Sequence, residues 1–113
     1  MNAARTYFKI MAPLFAVAAV FHAWRIVSPD PLDPSPPLRH ALFVGINLFV
    51  AARLWSRPSQ LKLAFGVLVV QQLGSHGGAA WRAWVEHGVV DVVSLIIVIL
   101  LPVTWILLIR YRE

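Results

Sequence analysis

Four stretches of the chain are almost purely apolar, and a short polar or proline-rich break separates each from the next. They run from about residue 7 to 27, 39 to 55, 61 to 80 and 91 to 109. Each comes close to the roughly 17 to 25 residues that cross ~30 Å of hydrocarbon as a helix. The first break, residues 28–38, reads "SPDPLDPSPPL". Its prolines lack amide protons and hold φ fixed, so no helix continues through it. The second, "SRPSQ", is short enough to make its flanking spans antiparallel neighbours. The third, residues 81–88, carries Trp81, Trp84, Val85 and Gly88 at helical spacing, with Arg82 and Glu86 placed as an i,i+4 pair. That segment belongs at the membrane interface. Asp91 stands where a helix N-cap belongs, and Pro102 predicts a kink in the fourth span. The expected architecture is all-α: an integral membrane four-helix bundle, antiparallel and up-down, forming one transmembrane domain over residues 1–113.

Composition agrees with this. Of 113 residues, 59% are hydrophobic and only 13% charged, outside the range of ordinary soluble domains. The absence of cysteine excludes disulfides, thiolate metal sites, iron–sulfur clusters and CxxCH haem attachment, so a metal would need His, Asp or Glu. A signal peptide is the rival reading of the first segment, because "RTYFK" precedes an apolar run and "AVA". The apolar stretch continues well past that small-residue site, which favours a retained span.

The net charge of +5 does not point to nucleic acid, because the basic residues punctuate apolar runs and do not cluster on a polar face. They orient the chain instead. Arg5, Lys9, Arg53, Arg57, Lys62, Arg110 and Arg112 fall on the side of the N-terminus, against Arg25, Arg39 and Arg82 on the other. The positive-inside rule then puts both termini in the cytoplasm. Asp30, Asp33, Glu86 and Asp91 fall on the outer side, where Arg25 has Asp30 within reach as a partner. Arg outnumbers Lys eight to two, a usage that goes with GC-rich bacterial genomes. The expected location is the bacterial inner membrane, multi-pass, with the lipid bilayer as the principal partner. Trp24, Trp81 and Trp84 mark the outer interface, and Tyr7, Trp55 and Tyr111 the inner one, while Trp105 sits about one turn deeper.

With this topology all four histidines lie toward the outer face: His22 late in the first span, His40 at the start of the second, His76 late in the third, His87 in the outer connection. Asn47, Gln71, Gln72, Ser75, Asp91 and Ser94 lie between them and the membrane centre. His40, Val44, Asn47 and Ala51 share one helix face; Gln72, Ser75 and His76 share another; Asp91, Ser94, Val98 and Pro102 a third. An unpaired polar group in lipid costs several kcal/mol, so such stripes turn toward partners or a water-filled cavity. Small residues at Gly74 and Gly78, Ala12 and Ala16, and Ala19 and Ala23 permit close helix approach.

The site predicted from these residues is an outward-facing polar pocket lined by His22, Asn47, Gln72 and His76, with Asp91 as a charged partner. It would take a small ligand or a metal in a binding protein or accessory subunit. His40 beside Arg39, and His87 after Glu86, read as solvated interfacial residues. Two other classes stay open. In one, His22 and His76 hold a metal or a b-type haem as a redox carrier; in the other, the chain is a structural subunit of a larger membrane complex, or a homodimer. No HxxxH or HExxH spacing supports a metal specifically, and "GSHGG" lacks the strand–turn–helix context of a phosphate loop. No nucleophile–base constellation is present, so covalent catalysis has the least support. Length and span count are similar to those of the small multidrug transporters, but the first span lacks the acidic residue on which that family relies.

Overall fold

The computed structural model describes residues 2–31, 33 and 35–113; Met1, and Leu32 and Pro34 of the proline-rich break, lie outside the described residues. Among these are four α-helices and no strand: α1 (Ala3–Val27), α2 (Pro37–Ser56), α3 (Lys62–His87) and α4 (Val92–Arg110), with one 3-10 turn at Pro58–Leu61. The chain forms two compact units, Met1–Pro58 and Ser59–Glu113, each a helical hairpin.

Local chemistry sets the helix ends of the first hairpin. The Asn2 side chain caps α1 by accepting the Ala4 amide at 2.8 Å. At the other end the Ser28 amide closes on the Trp24 carbonyl, and Pro29 follows. Pro37 opens α2, where an amide would have no helical partner anyway. Arg57, which precedes Pro58, leaves the helical region as steric crowding by the proline ring requires.

Phe8, Met11, Ala12, Phe15 and Ala19 make one buried stripe on α1, and His40, Phe43, Asn47, Val50 and Leu54 make another on α2. Ala12 and Ala19 are buried, so each predicted alanine pair contributes one member to the hairpin core. The two helices run in opposite directions. Arg5 near the start of α1 donates to the carbonyls of Trp55 and Ser56 at the end of α2, at 2.9 and 3.2 Å. Those carbonyls lack helical donors, and a cation beside them is favoured by the helix dipole. Lys9 adds a cation over the Trp55 ring at 5.1 Å.

In the second hairpin α3 ends at Gly88, whose φ of 63° lies in the left-handed region that glycine adopts without a steric penalty. Asp91 caps α4 by accepting the Ser94 amide at 3.1 Å. Phe65, Gly66 and Val69 on α3 are buried, as are Ser94, Leu101, Thr104 and Leu108 on α4. Trp105 lies against Gly66 and donates its indole N–H to the Lys62 carbonyl at 3.0 Å. A specific hydrogen bond therefore holds it inside the aromatic belt. The predicted Arg82–Glu86 pair does not form. Arg82 lies back along α3 toward Gly78, and Glu86 stands 4.0 Å from His87. An exposed i,i+4 pair contributes only about 0.3 to 0.5 kcal/mol, too little to dictate side-chain direction.

Three helices, α1, α2 and α4, are long and apolar enough to cross a membrane. Only 22%, 28% and 22% of their most apolar windows is buried within the chain, so most of their apolar surface faces outward, as lipid solvation requires. At 26 residues α3 spans roughly 39 Å. Gln71, Gln72, Ser75 and His76 in its middle lower its apolar character.

Candidate functional site

At the loop end of the first hairpin three polar side chains form a chain of hydrogen bonds. His22 Nδ1 lies 2.9 Å from His40 Nδ1, and His40 Nε2 lies 3.1 Å from Asp33 Oδ2. Asp33 Oδ1 in turn accepts the Ser35 amide at 2.9 Å. His40 is 7% exposed, so the central link is removed from bulk water. The His22 ring stacks on Phe43 at 5.3 Å and meets Phe21 edge-on at 5.6 Å. Arg39 sits over Phe43, Arg25 over Phe21, and Arg25 pairs with Asp30 at 3.5 Å. Aromatic packing thus fixes the plane of His22, and a carboxylate fixes that of His40.

The protonation pattern follows from donor and acceptor counting. Burial works to raise the Asp33 carboxyl, but the Ser35 amide and hydroxyl and the neighbouring His40 outweigh it and hold the group below its ordinary value. Asp33 is therefore a carboxylate at neutral pH and only accepts, so His40 Nε2 carries a proton and donates. In the neutral pair His40 Nδ1 accepts and His22 Nδ1–H donates, which leaves the His22 lone pair on Nε2.

A depressed folded-state carboxyl contributes stability that is present above its unfolded value and lost as pH falls through the folded one. Acidification below about pH 4 is therefore expected to loosen the α1–α2 loop. Asp33→Asn should abolish that acid-dependent part; melting curves in detergent between pH 7 and pH 3 would check this. An unchanged acid limb in the variant would count against Asp33 as the anchor.

The second hairpin carries a related arrangement. Ser94 donates its hydroxyl to Asp91 Oδ2 at 2.7 Å, and His76 Nδ1 stands 3.1 Å from Ser94 Oγ. Because the hydroxyl proton goes to the carboxylate, His76 must donate from Nδ1. This order is wrong for a nucleophilic serine, whose proton would have to go to the imidazole.

The predicted site residues are therefore distributed over two hairpins. His22 pairs with His40, and His76 and Asp91 meet through Ser94. Asn47 is buried, but its amide donates to the Phe43 carbonyl of its own helix at 2.8 Å. Gln72 is half-buried, with its amide bonded to the exposed Gln71 beside it. His87 is exposed, as an interfacial residue would be. The interfacial reading of His40 does not hold: it is buried at the centre of the chain. Asp33 and Ser94 also take part; the sequence pattern puts Ser94 on a polar stripe with Asp91 but assigns neither residue to the pocket. The shared separation of 18 residues in His22/His40 and His76/Ser94 was the available signal.

A hollow of about 240 Å³ lies in the second hairpin, lined by Ala80, Trp84, Val89, Val90, Asp91 and Leu95. It is smaller than the roughly 300 to 1,000 Å³ of small-molecule sites. Of the predicted pocket residues it includes only Asp91. Among the described residues no group of three or more His, Asp or Glu is placed to hold a metal ion. The reason is geometric in the first hairpin: Asp33 binds the far nitrogen of His40, so the three groups run in a line and do not converge.

The fold and site define a helical protein with, among the described residues, three helices apolar enough to cross a membrane and a hydrogen-bonded histidine chain in each hairpin. Comparison with protein families, with curated proteins and with solved structures gives no match.

Proposed function

We propose that this is a multi-pass protein of the bacterial inner membrane, an antiparallel four-helix bundle with both termini cytoplasmic, acting as a binding or accessory component through a basic site on its periplasmic side. The 2.9 Å contact between His22 Nδ1 and His40 Nδ1, backed by Asp33, carries the reading. Polar chains of this kind are costly inside a membrane and mark functional positions there. The positive-inside bias and the outer placement of the acidic residues support the orientation.

The chemistry available is that of an oriented imidazole base. Hydrogen-bond order makes Nε2 the basic nitrogen of His22, and the ligand class that suits such a base is a small polar molecule offering an N–H or O–H. The Asp33 carboxylate stands behind His40, both of whose ring nitrogens are engaged, and it orients His22 through that ring.

Two measurements on protein purified in mild detergent test this. In ¹⁵N-histidine NMR at neutral pH, His22 should show the Nδ1–H tautomer and His40 the Nε2–H tautomer, and His40→Ala should release the tautomer of His22. With imidazole as a small N–H probe, the His22 ring signals should shift, and His40→Ala should abolish that response. Identical behaviour of His22 in both proteins would sink the proposal.

A further inference from the structure

The end of the first hairpin opposite its histidine chain carries charge of one sign. Arg5 and Lys9 lie four residues apart on α1, so they share a face, and both reach the same residue of α2. Arg5 donates from Nη2 alone to the carbonyls of Trp55 and Ser56, at 2.9 and 3.2 Å, which leaves its Nε–H and Nη1 donors for a further acceptor. Lys9 places its ammonium 5.1 Å from the centre of the Trp55 ring. Like charges at i,i+4 repel each other, and the first hairpin has no acid to set between them: Asp30 and Asp33 both lie in the α1–α2 connection at its other end. Glu113, at the end of the chain, directs its carboxylate to the Ser59 amide at 3.3 Å. An anion bridging Arg5 and Lys9 would turn their repulsion into charge-assisted hydrogen bonds.

Which anion suits them follows from what adjoins the cations. Lys9, Pro13, Ala16 and Val20 recur at i, i+4, i+7 and i+11 along α1, and Trp55, Ala51, Leu48 and Val44 recur at the same spacing in the reverse sense along α2. The helices are antiparallel, so both stripes start at the cations and run the same way along the hairpin. Beyond the cations both are wholly apolar, exposed at Pro13, Val20 and Leu48 and half-buried at Ala16, Val44 and Ala51. A free inorganic anion gains nothing from such a strip, whereas a phospholipid presents a phosphodiester and then acyl chains in that order. Trp55, 54% exposed, stands between the two parts, where an indole is favoured at a membrane interface.

We propose that Arg5, Lys9 and Trp55 form a headgroup site for an anionic phospholipid, whose phosphodiester bridges the guanidinium and the ammonium while an acyl chain lies along the apolar strip. Net negative charge matters, because the ammonium of a zwitterionic headgroup would stand beside two cations. Under the orientation proposed above this is the cytoplasmic leaflet. The site goes beyond the histidine reading and shares with it only the placement of the hairpin in a bilayer.

The experiment is a titration of the full chain in mild detergent with dioleoylphosphatidylglycerol or dioleoylphosphatidylcholine, read as bound fraction by native mass spectrometry, with inorganic phosphate as competitor. Phosphatidylglycerol should bind more tightly, and Lys9→Gln should weaken it about fivefold, as ~1 kcal/mol per basic residue beside anionic lipid implies. Lys9→Arg keeps the charge and should retain the wild-type affinity. Arg112→Gln removes an equal charge from an exposed position of the second hairpin and should leave the affinity unchanged. Equal affinity of the wild-type chain for the two lipids, displacement of the lipid by inorganic phosphate, or an equal loss in Arg112→Gln would overturn the site. The wild-type lipid comparison decides the matter even where melting curves show that Lys9→Gln disturbs the fold. Loss of the lipid preference together with an Nδ1–H tautomer at His22 would remove this site and leave the histidine reading standing.

Discussion

Replacing His40 with alanine is expected to destabilise the protein by about 2 kcal/mol, more than any other single polar change in the first hairpin. The loss has two sources. His22 Nδ1–H loses its acceptor, and the Asp33 carboxylate loses the donor that holds the loop against α2. A buried polar group left without its partner costs roughly 1 to 3 kcal/mol, and hydrogen bonds between membrane helices fall at about 0.6 to 2 kcal/mol. His40→Gln offers one acceptor and one donor and should recover part of the loss. The check is a double-mutant cycle of His22→Ala and His40→Ala by thermal or denaturant unfolding in detergent. A coupling of about 1 kcal/mol is expected; a coupling near zero would mean that the two rings are neighbours without an energetic bond.

Gly66→Ala should produce a loss of similar size in the second hairpin by a steric route. A methyl group there would stand 2.9 Å from both Cε2 and Cζ2 of Trp105, where carbon atoms prefer about 3.5 to 4.0 Å. The indole cannot simply swing aside, because its N–H is bonded to the Lys62 carbonyl at 3.0 Å. Either that bond breaks or α3 and α4 separate locally. Overpacking of this kind costs about 1 to 3 kcal/mol, against which the better helix propensity of alanine returns at most ~1 kcal/mol. Combining Gly66→Ala with Trp105→Phe removes the clash, so the double variant should lose less than the two single losses added. A Gly66→Ala protein that melts at the wild-type temperature would show that the helices have room which the 2.9 Å approach denies. By contrast, Gly74 has nothing within 4 Å of its Cβ position and Gly78 only the Arg82 side chain. Alanine at Gly74 should be nearly silent within the hairpin.

The contrast among these glycines shows how far sequence pattern carries. Gly74 and Gly78 have the small-xxx-small spacing that advertises close packing, yet the close approach falls on Gly66, which has no such partner at four residues. What marks Gly66 is Trp105, 39 positions away and placed one turn too deep for the interface. That anomaly was visible in the sequence, but its explanation was not, because an indole in the apolar layer needs an acceptor and nothing local identifies which carbonyl supplies it. The same holds for the polar stripes. Asn47 and Gln72 are expected to turn toward other helices or a pocket, but Asn47 bonds within its own helix and Gln72 to its neighbouring residue.

The helical class, the breaks at the prolines, the Asp91 cap and the span-length apolar character of α1, α2 and α4 all follow from the chain alone. Each depends on residues close together in sequence or on summed apolar content, and lipid or a missing amide acts on those directly. Which polar groups meet was decided by tertiary structure. A 3.6-residue period says which side of a helix a histidine occupies, but the choice of His40 for His22, and Ser94 for His76, depends on the relative height of two packed helices. That height results from helix length, loop length and core contacts together, and no local pattern encodes their sum.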